Sequence, residues 1–248
     1  MKYFTVLIAA FCLLTGCATL GGGRDLSSHS PVNIVSVVSN YDINWDGEGP
    51  SLERSLATST GAFVKRALQK NRQETRVRIS KADELINEAD LTLRGIAADA
   101  GIAAFAGKDE VIAAQAYAGA RINPRQDNED TVAAEGYRFV YFRDKDFPGN
   151  MARETGAGSL MFVTFSFTKV VASGVARNGT MRAKVEMNVR IVSAAGKTIF
   201  NRSLNLTSSE KIPVSGGYYE EPDLMQLFRS AISDICYEFV AQFKSTKW

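Results

Sequence analysis

The sequence predicts an α/β protein: a single mixed parallel and antiparallel sheet with packed helices and an alanine-rich helical insert. Three observations predict it. Pro31 to Ser39 (PVNIVSVVS) is a β-branched run. Met181 to Ile191 alternates apolar and polar residues, the mark of a strand with one buried face. Leu224, Leu227, Phe228, Ala231, Ile232, Ile235, Cys236, Phe239, Val240 and Phe243 recur at spacings of three and four, the stripe of an amphipathic helix. The 248 residues, 45% hydrophobic and 23% charged, suffice for a substantial core and exclude a wholly disordered chain, a collagen-like repeat and a polytopic membrane protein.

The remaining elements follow in order. Tyr41 to Pro50 reads as a loop, and Ser51 caps a helix reaching about Asn71, with Leu52, Leu56, Phe63, Val64, Ala67 and Leu68 on one face. Arg76 to Ile79 has strand character. From Lys81, Leu85, Ile86, Ala89, Leu93, Ile96 and Ala97 set a helical period. The alanine-rich stretch Gly95 to Ala120 is interrupted by Lys108-Asp109-Glu110, so it predicts a helical hairpin or broken helix and not a membrane span. Arg125 to Thr131 is a charged loop, and Tyr137 to Phe142 (YRFVYF) reads as strand. Asp144 to Gly156 predicts a short helix with Pro148 in its first turn. Ser159 to Val171 is an aromatic-rich strand, and Asn178-Gly179 signals the hairpin into Met181 to Ile191. Ala194 to Lys197 turns the chain, Thr198 to Leu206 pairs back, and Glu210 to Asp223 is a loop before the last helix. Strands separated by helices favour parallel pairing, and the later meander is antiparallel.

The N-terminus predicts the address. Lys2 precedes an apolar run from Tyr3 to Leu14, of signal-peptide length and too short to span a bilayer. Leu14-Thr15-Gly16-Cys17 follows and resembles a bacterial lipoprotein lipobox. The resemblance implies cleavage between Gly16 and Cys17, with diacylglycerol on the Cys17 thiol and a further acyl group, such as palmitate, on the new amine. Several chains anchor firmly where one binds only marginally. Ala18, not Asp, follows the cysteine, which the resemblance associates with the outer membrane. The expected organisation is residues 1–16 signal peptide, 17–30 lipidated flexible tether containing Gly21-Gly22-Gly23, and 31–248 a single periplasm-facing α/β domain. His29, the only histidine, falls in the tether and reads as a solvated residue. With Cys12 removed and Cys17 lipidated, Cys236 is the one free thiol and reads as a small core residue.

Little material remains for chemistry. Lys+Arg 29 against Asp+Glu 27 leaves no basic footprint for nucleic acid. Without a histidine in the folded part no Ser–His or Cys–His pair forms, and zinc lacks its ligands. Ser193-Ala194-Ala195-Gly196-Lys197-Thr198 imitates the end of a phosphate loop but joins two strands. Gly156-Ala157-Gly158 lacks the third glycine of a dinucleotide fingerprint. Asp42, Asp46 and Glu48, and Glu220, Glu221 and Asp223, precede helices, where negative charge is favourable anyway. No catalytic residue, metal site or cofactor is expected. The loop aromatics Tyr41, Trp45, Tyr218 and Tyr219 are candidate contacts, and Tyr218 and Tyr219 beside Gly216-Gly217 are the candidate binding residues.

Asp144 to Phe167 resembles the helix–Gly-Ala–strand passage of curli-secretion-type lipoproteins and of lipoprotein activators of penicillin-binding proteins. Val185 to Leu206 is similar to their strand–Gly-Lys turn–strand hairpin. The resemblance covers roughly half of the mature chain and carries across no functional residue. The expectation is an outer-membrane-tethered, non-catalytic interaction or assembly module. It would meet the membrane through its lipid, meet an envelope protein partner, and form homo-oligomers. A subunit of a secretion pore is the alternative, and an envelope hydrolase a weaker one.

Overall fold

A computed structural model describes residues 29–46, 82–102, 107–127 and 130–246. The signal peptide, Cys17, the helix from Ser51 and the Arg76 to Ile79 strand lie outside the described residues.

Among the described residues the core is a seven-stranded sheet. β1 (Val32–Asn40), β2 (Asn44–Trp45), β3 (Thr131–Ala133), β4 (Ser159–Val175), β5 (Asn178–Ser193), β6 (Thr198–Thr207) and β7 (Ile212–Val214) form it in the order β3-β1-β4-β5-β6, with β2 on β4 and β7 on β5. β1 and β2 run parallel to β4, and the remaining pairs are antiparallel, so the expected mixed sheet is present. The helices are α1 (Ala82–Asp99), α2 (Lys108–Ala113), α3 (Gln115–Ala118), α4 (Phe147–Thr155) and α5 (Glu221–Ser245).

Register explains the burial. Met161, Val163, Phe165 and Phe167 of β4 pair with Ile191, Val189, Met187 and Val185 of β5, and all eight are buried. Paired residues share a face, and α5 covers this one. Phe167 meets Phe228 edge-on at 5.8 Å, and Phe200 meets Phe239 at 6.2 Å. Every member of the predicted α5 stripe is buried. The predicted face of α1 is buried too, and α1 packs beside α5 with Arg229 Nε 2.9 Å from Glu88. On the other face α4 closes over the start of the sheet, where Asn33 donates to Thr155 Oγ1 at 2.9 Å. Arg190 there lies 4.0 Å from the centre of the Phe142 ring.

Four details depart from expectation. Tyr137 to Phe142 is not a strand and makes a single bridge, Val140 with Ile122. Side chains replace the ladder: Tyr117 Oη accepts from Arg138 N–H at 2.8 Å, and the Arg138 guanidinium donates to the Tyr117 and Ala118 carbonyls. The β4–β5 hairpin turns at Ala176-Arg177, two residues before Asn178-Gly179. Gly179 instead faces Gly174, and a Cβ on Gly179 would sit 2.0 Å from the Ser173 carbonyl oxygen. The loop before α5 contains β7. Contacts of the domain reach back to His29, whose carbonyl accepts from Ser159 Oγ at 2.8 Å.

Other expectations are met locally. The insert is a broken helix, α1 then α2 and α3. Pro148 lies in the first turn of α4, and Gly156 ends it at φ 68°. Ala194 to Lys197 is a turn with Gly196 at φ 77°, not a phosphate loop. The Cys236 thiol is buried, and burial pushes its pKa up to about 12, so it stays protonated at neutral pH.

Candidate functional site

The long β4–β5 hairpin runs past the helices that cover the rest of the sheet. Residues 171–175 are all exposed. Two valines stand on it, Val171 at 41% and Val175 at 62% exposure. The 215–218 segment leans on this end. Gly217 N–H donates to the Arg177 carbonyl and Gly216 N–H to Asn178 Oδ1, both at 2.8 Å. Ser215 and Tyr218 exchange backbone hydrogen bonds of 3.0 and 2.9 Å around Gly216 and Gly217, whose φ angles are 60° and 88°. Two successive positive φ values make a type I′ turn, which suits glycine. The Gly216-Gly217 pair thus holds Tyr218 on a tight turn. Tyr218 is 79% exposed, the most of any large hydrophobic residue described.

Tyr219, one residue on, turns the other way. It is half-buried against the core, and burial followed by the Glu221 charge raises its phenol pKa. Lys169 Nζ lies 5.6 Å from its ring centre and 5.3 Å from that of Trp45. This aromatic–cation sandwich holds β2 and the start of α5 to β4. Tyr41 sits elsewhere, beside β3, with its N–H on the Asp130 carbonyl at 2.8 Å. The candidate aromatics therefore separate: Trp45 and Tyr219 pack, Tyr218 projects into solvent, and Tyr41 stands apart.

Of the carboxylates weighed in the sequence, Glu48 lies outside the described residues. Asp46 pairs with Lys184 at 3.2 Å, and no group of three or more His, Cys, Asp or Glu side chains arranged to hold a metal occurs among the described residues.

A polar cluster that sequence reasoning missed lies under the insert. Asp90 is buried on α1 among Ile86, Ala89 and Leu93. Its Oδ1 is 3.0 Å from Arg94 Nε and accepts from Tyr137 Oη at 3.3 Å, while Lys108 Nζ is 3.5 Å from Oδ2. Arg94 also bonds the Tyr137 hydroxyl, and Lys108 lies 5.1 Å from the Tyr137 ring centre. Burial, reinforced by the Asp90 charge, raises the Tyr137 pKa. A carboxylate four residues before an arginine, inside an apolar arc, was the available signal. Two cations hold this carboxylate, and the cluster ties α1, α2 and the 137–140 segment together.

No family model matches the chain, and no curated protein matches it. Among solved structures it is similar to a candidate lipoprotein from Caulobacter crescentus CB15, with 12% identity and a TM-score of 0.22 over 42% of this chain and 74% of that one. It is also similar to a Xanthomonas campestris protein of family DUF330, with 11% identity and a TM-score of 0.21 over 50% of this chain and 73% of that one.

Proposed function

We propose that the protein is a non-catalytic interaction module of the bacterial cell envelope, anchored by lipid on Cys17 and presenting the β4–β5 hairpin end to a protein partner. The observation that carries this reading is the exposure of three large apolar side chains at this end, Val171 and Val175 on the hairpin and Tyr218 on the turn hydrogen-bonded to it. These side chains stay exposed while the rest of the apolar surface at this end is folded inward. Tyrosine on a fixed turn offers contact area at low entropic cost.

The start of the described chain and the surface lie at opposite ends of β4. His29 meets Ser159, the first residue of β4, and Val175 is its last. At ~3.3 Å per residue a 17-residue strand separates them by roughly 50 Å. The outer membrane is the bilayer we assign, from Ala18.

The anchor is tested by substitution. Cys17→Ser should leave an uncleaved precursor that incorporates no radiolabelled palmitate. A variant that still labels and still sediments with membranes contradicts the address. The partner surface is tested by a photo-crosslinking residue at position 218, which should give a discrete protein adduct in intact cells.

A further inference from the structure

β6 closes one side of the sheet, and its backbone shows how its open edge is disposed. Ser208 N–H donates to the Ala183 carbonyl at 2.7 Å, which makes those two a hydrogen-bonded pair. Steps of two carry the same class to Val185/Leu206, Met187/Leu204 and Val189/Arg202. Leu206, Leu204 and Arg202 therefore bond to β5, while Asn201, Ser203 and Asn205 turn their N–H and C=O groups to the open side. All three are exposed, and among the described residues no strand pairs with that edge. Arg202 Nη1 reaches the Asn201 carbonyl at 3.3 Å.

Sheets commonly blunt an open edge with charged side chains, lysine above all, with proline or with a bulge. The continuation of this edge is blunted in that way: the chain leaves the sheet over Ser208 to Lys211, and β7 carries Pro213. From Asn201 to Thr207 there is no proline, no lysine and no break in register, and the one charged side chain, Arg202, reaches back to the Asn201 carbonyl and lies over the Phe200 ring.

We propose that this half of the edge is a homodimer contact, in which β6 pairs antiparallel with β6 of a second copy about a two-fold axis at Ser203. The residues select that register. Keeping buried faces aligned requires the axis to pass through a residue, because side chains alternate. An axis at Arg202 sets two guanidinium groups opposite each other. An axis at Leu204 shortens the overlap at the Thr207 end. An axis at Ser203 places Arg202 opposite Leu204 of the second copy, Phe200 opposite the half-buried Leu206, and Asn201 opposite Asn205, whose amides can hydrogen-bond across the pair. The contact is isologous and closed, so it ends at two copies.

The experiment uses the purified full chain in detergent with a mild chemical oxidant. Hydrogen-bonded partners stand ~5.5 Å apart at Cα, within the range a disulfide spans. Ser203→Cys should give a covalent dimer on a non-reducing gel. Asn201→Cys lies four residues from its own symmetry mate, roughly 14 Å, and should not. Ser203→Pro removes only an outward N–H, which an edge strand tolerates. It should lower the mass by sedimentation from two chains to one without moving the melting temperature by more than a few degrees. A wild-type chain that sediments as one copy at tens of micromolar, no disulfide at 203, or equal crosslinking at 201 and 203 overturns the proposal.

Discussion

Ile232→Asp abolishes cooperative unfolding. Ile232 is fully buried on the α5 stripe, within the helix that covers β5 and β6 and packs on α1. Losing its buried side chain removes ~1.5–3 kcal/mol. The carboxylate adds the cost of an unpaired charge in an apolar seam, several kcal/mol more unless the group takes up a proton or the helix moves away. A domain of this kind has ~5–15 kcal/mol in total, so the variant retains secondary structure at most. Near-ultraviolet circular dichroism of the detergent-solubilised chain should lose its fine structure and show no sigmoidal melt. Ile232→Val, at ~0.5–1.5 kcal/mol, should melt cooperatively a few degrees lower. An unchanged melt for the aspartate variant would mean that this helix face is not buried.

Asp90→Ala has the second largest expected effect. The substitution removes the buried carboxylate that Arg94 and Lys108 both meet beside Tyr137. Removing one partner of a buried ion pair costs ~3–5 kcal/mol. The two cations remain 18% and 26% exposed, so water relieves part of this, and about 2–3 kcal/mol is the expected loss. Asp90→Asn keeps a hydrogen-bond acceptor and should lose less. The damage should be local as well as global: amide exchange in α2 and around Tyr137 should accelerate more than in β5. A loss under 0.5 kcal/mol, or uniform acceleration, would show that the cluster does not hold the insert.

The elements legible in the sequence are those whose burial repeats with a period. Met181 to Ile191 and the α5 stripe are buried at the expected positions because a strand or helix with one covered face has little freedom in where its apolar residues fall. The misread segments depend on partners distant in the chain. Tyr137 to Phe142 has strand composition, yet Tyr117 and the α3 carbonyls satisfy Arg138 in place of a ladder. Asn178-Gly179 is a strong turn signal, but the Asn178 side chain is engaged by Gly216 and the glycine by a close crossing at Ser173 and Gly174. Asp90 stands within the apolar arc of α1, and its role shows only once Lys108 and Tyr137 are placed around it.

The candidate surface was half visible. The two tyrosines were evident beside Gly216-Gly217, but their opposite directions follow from the extended backbone after the turn. The valines of the hairpin end gained meaning only from the strand running past its helical cover. Which residues of β6 face outward was hidden, since it depends on hydrogen-bond parity and not on side-chain pattern.

The central claim, that Val171, Val175 and Tyr218 form the partner surface, is tested most directly by site-specific photo-crosslinking in intact cells. The crosslinking residue is placed in turn at position 218 and at 237, because Tyr237 is also exposed but lies on α5 away from the hairpin. The account predicts one discrete adduct from 218, none from 237, and loss of the 218 adduct when Val171 and Val175 are replaced by serine with the melting temperature unchanged. Equal labelling from both positions, or an undiminished 218 adduct in the serine variant, would contradict it.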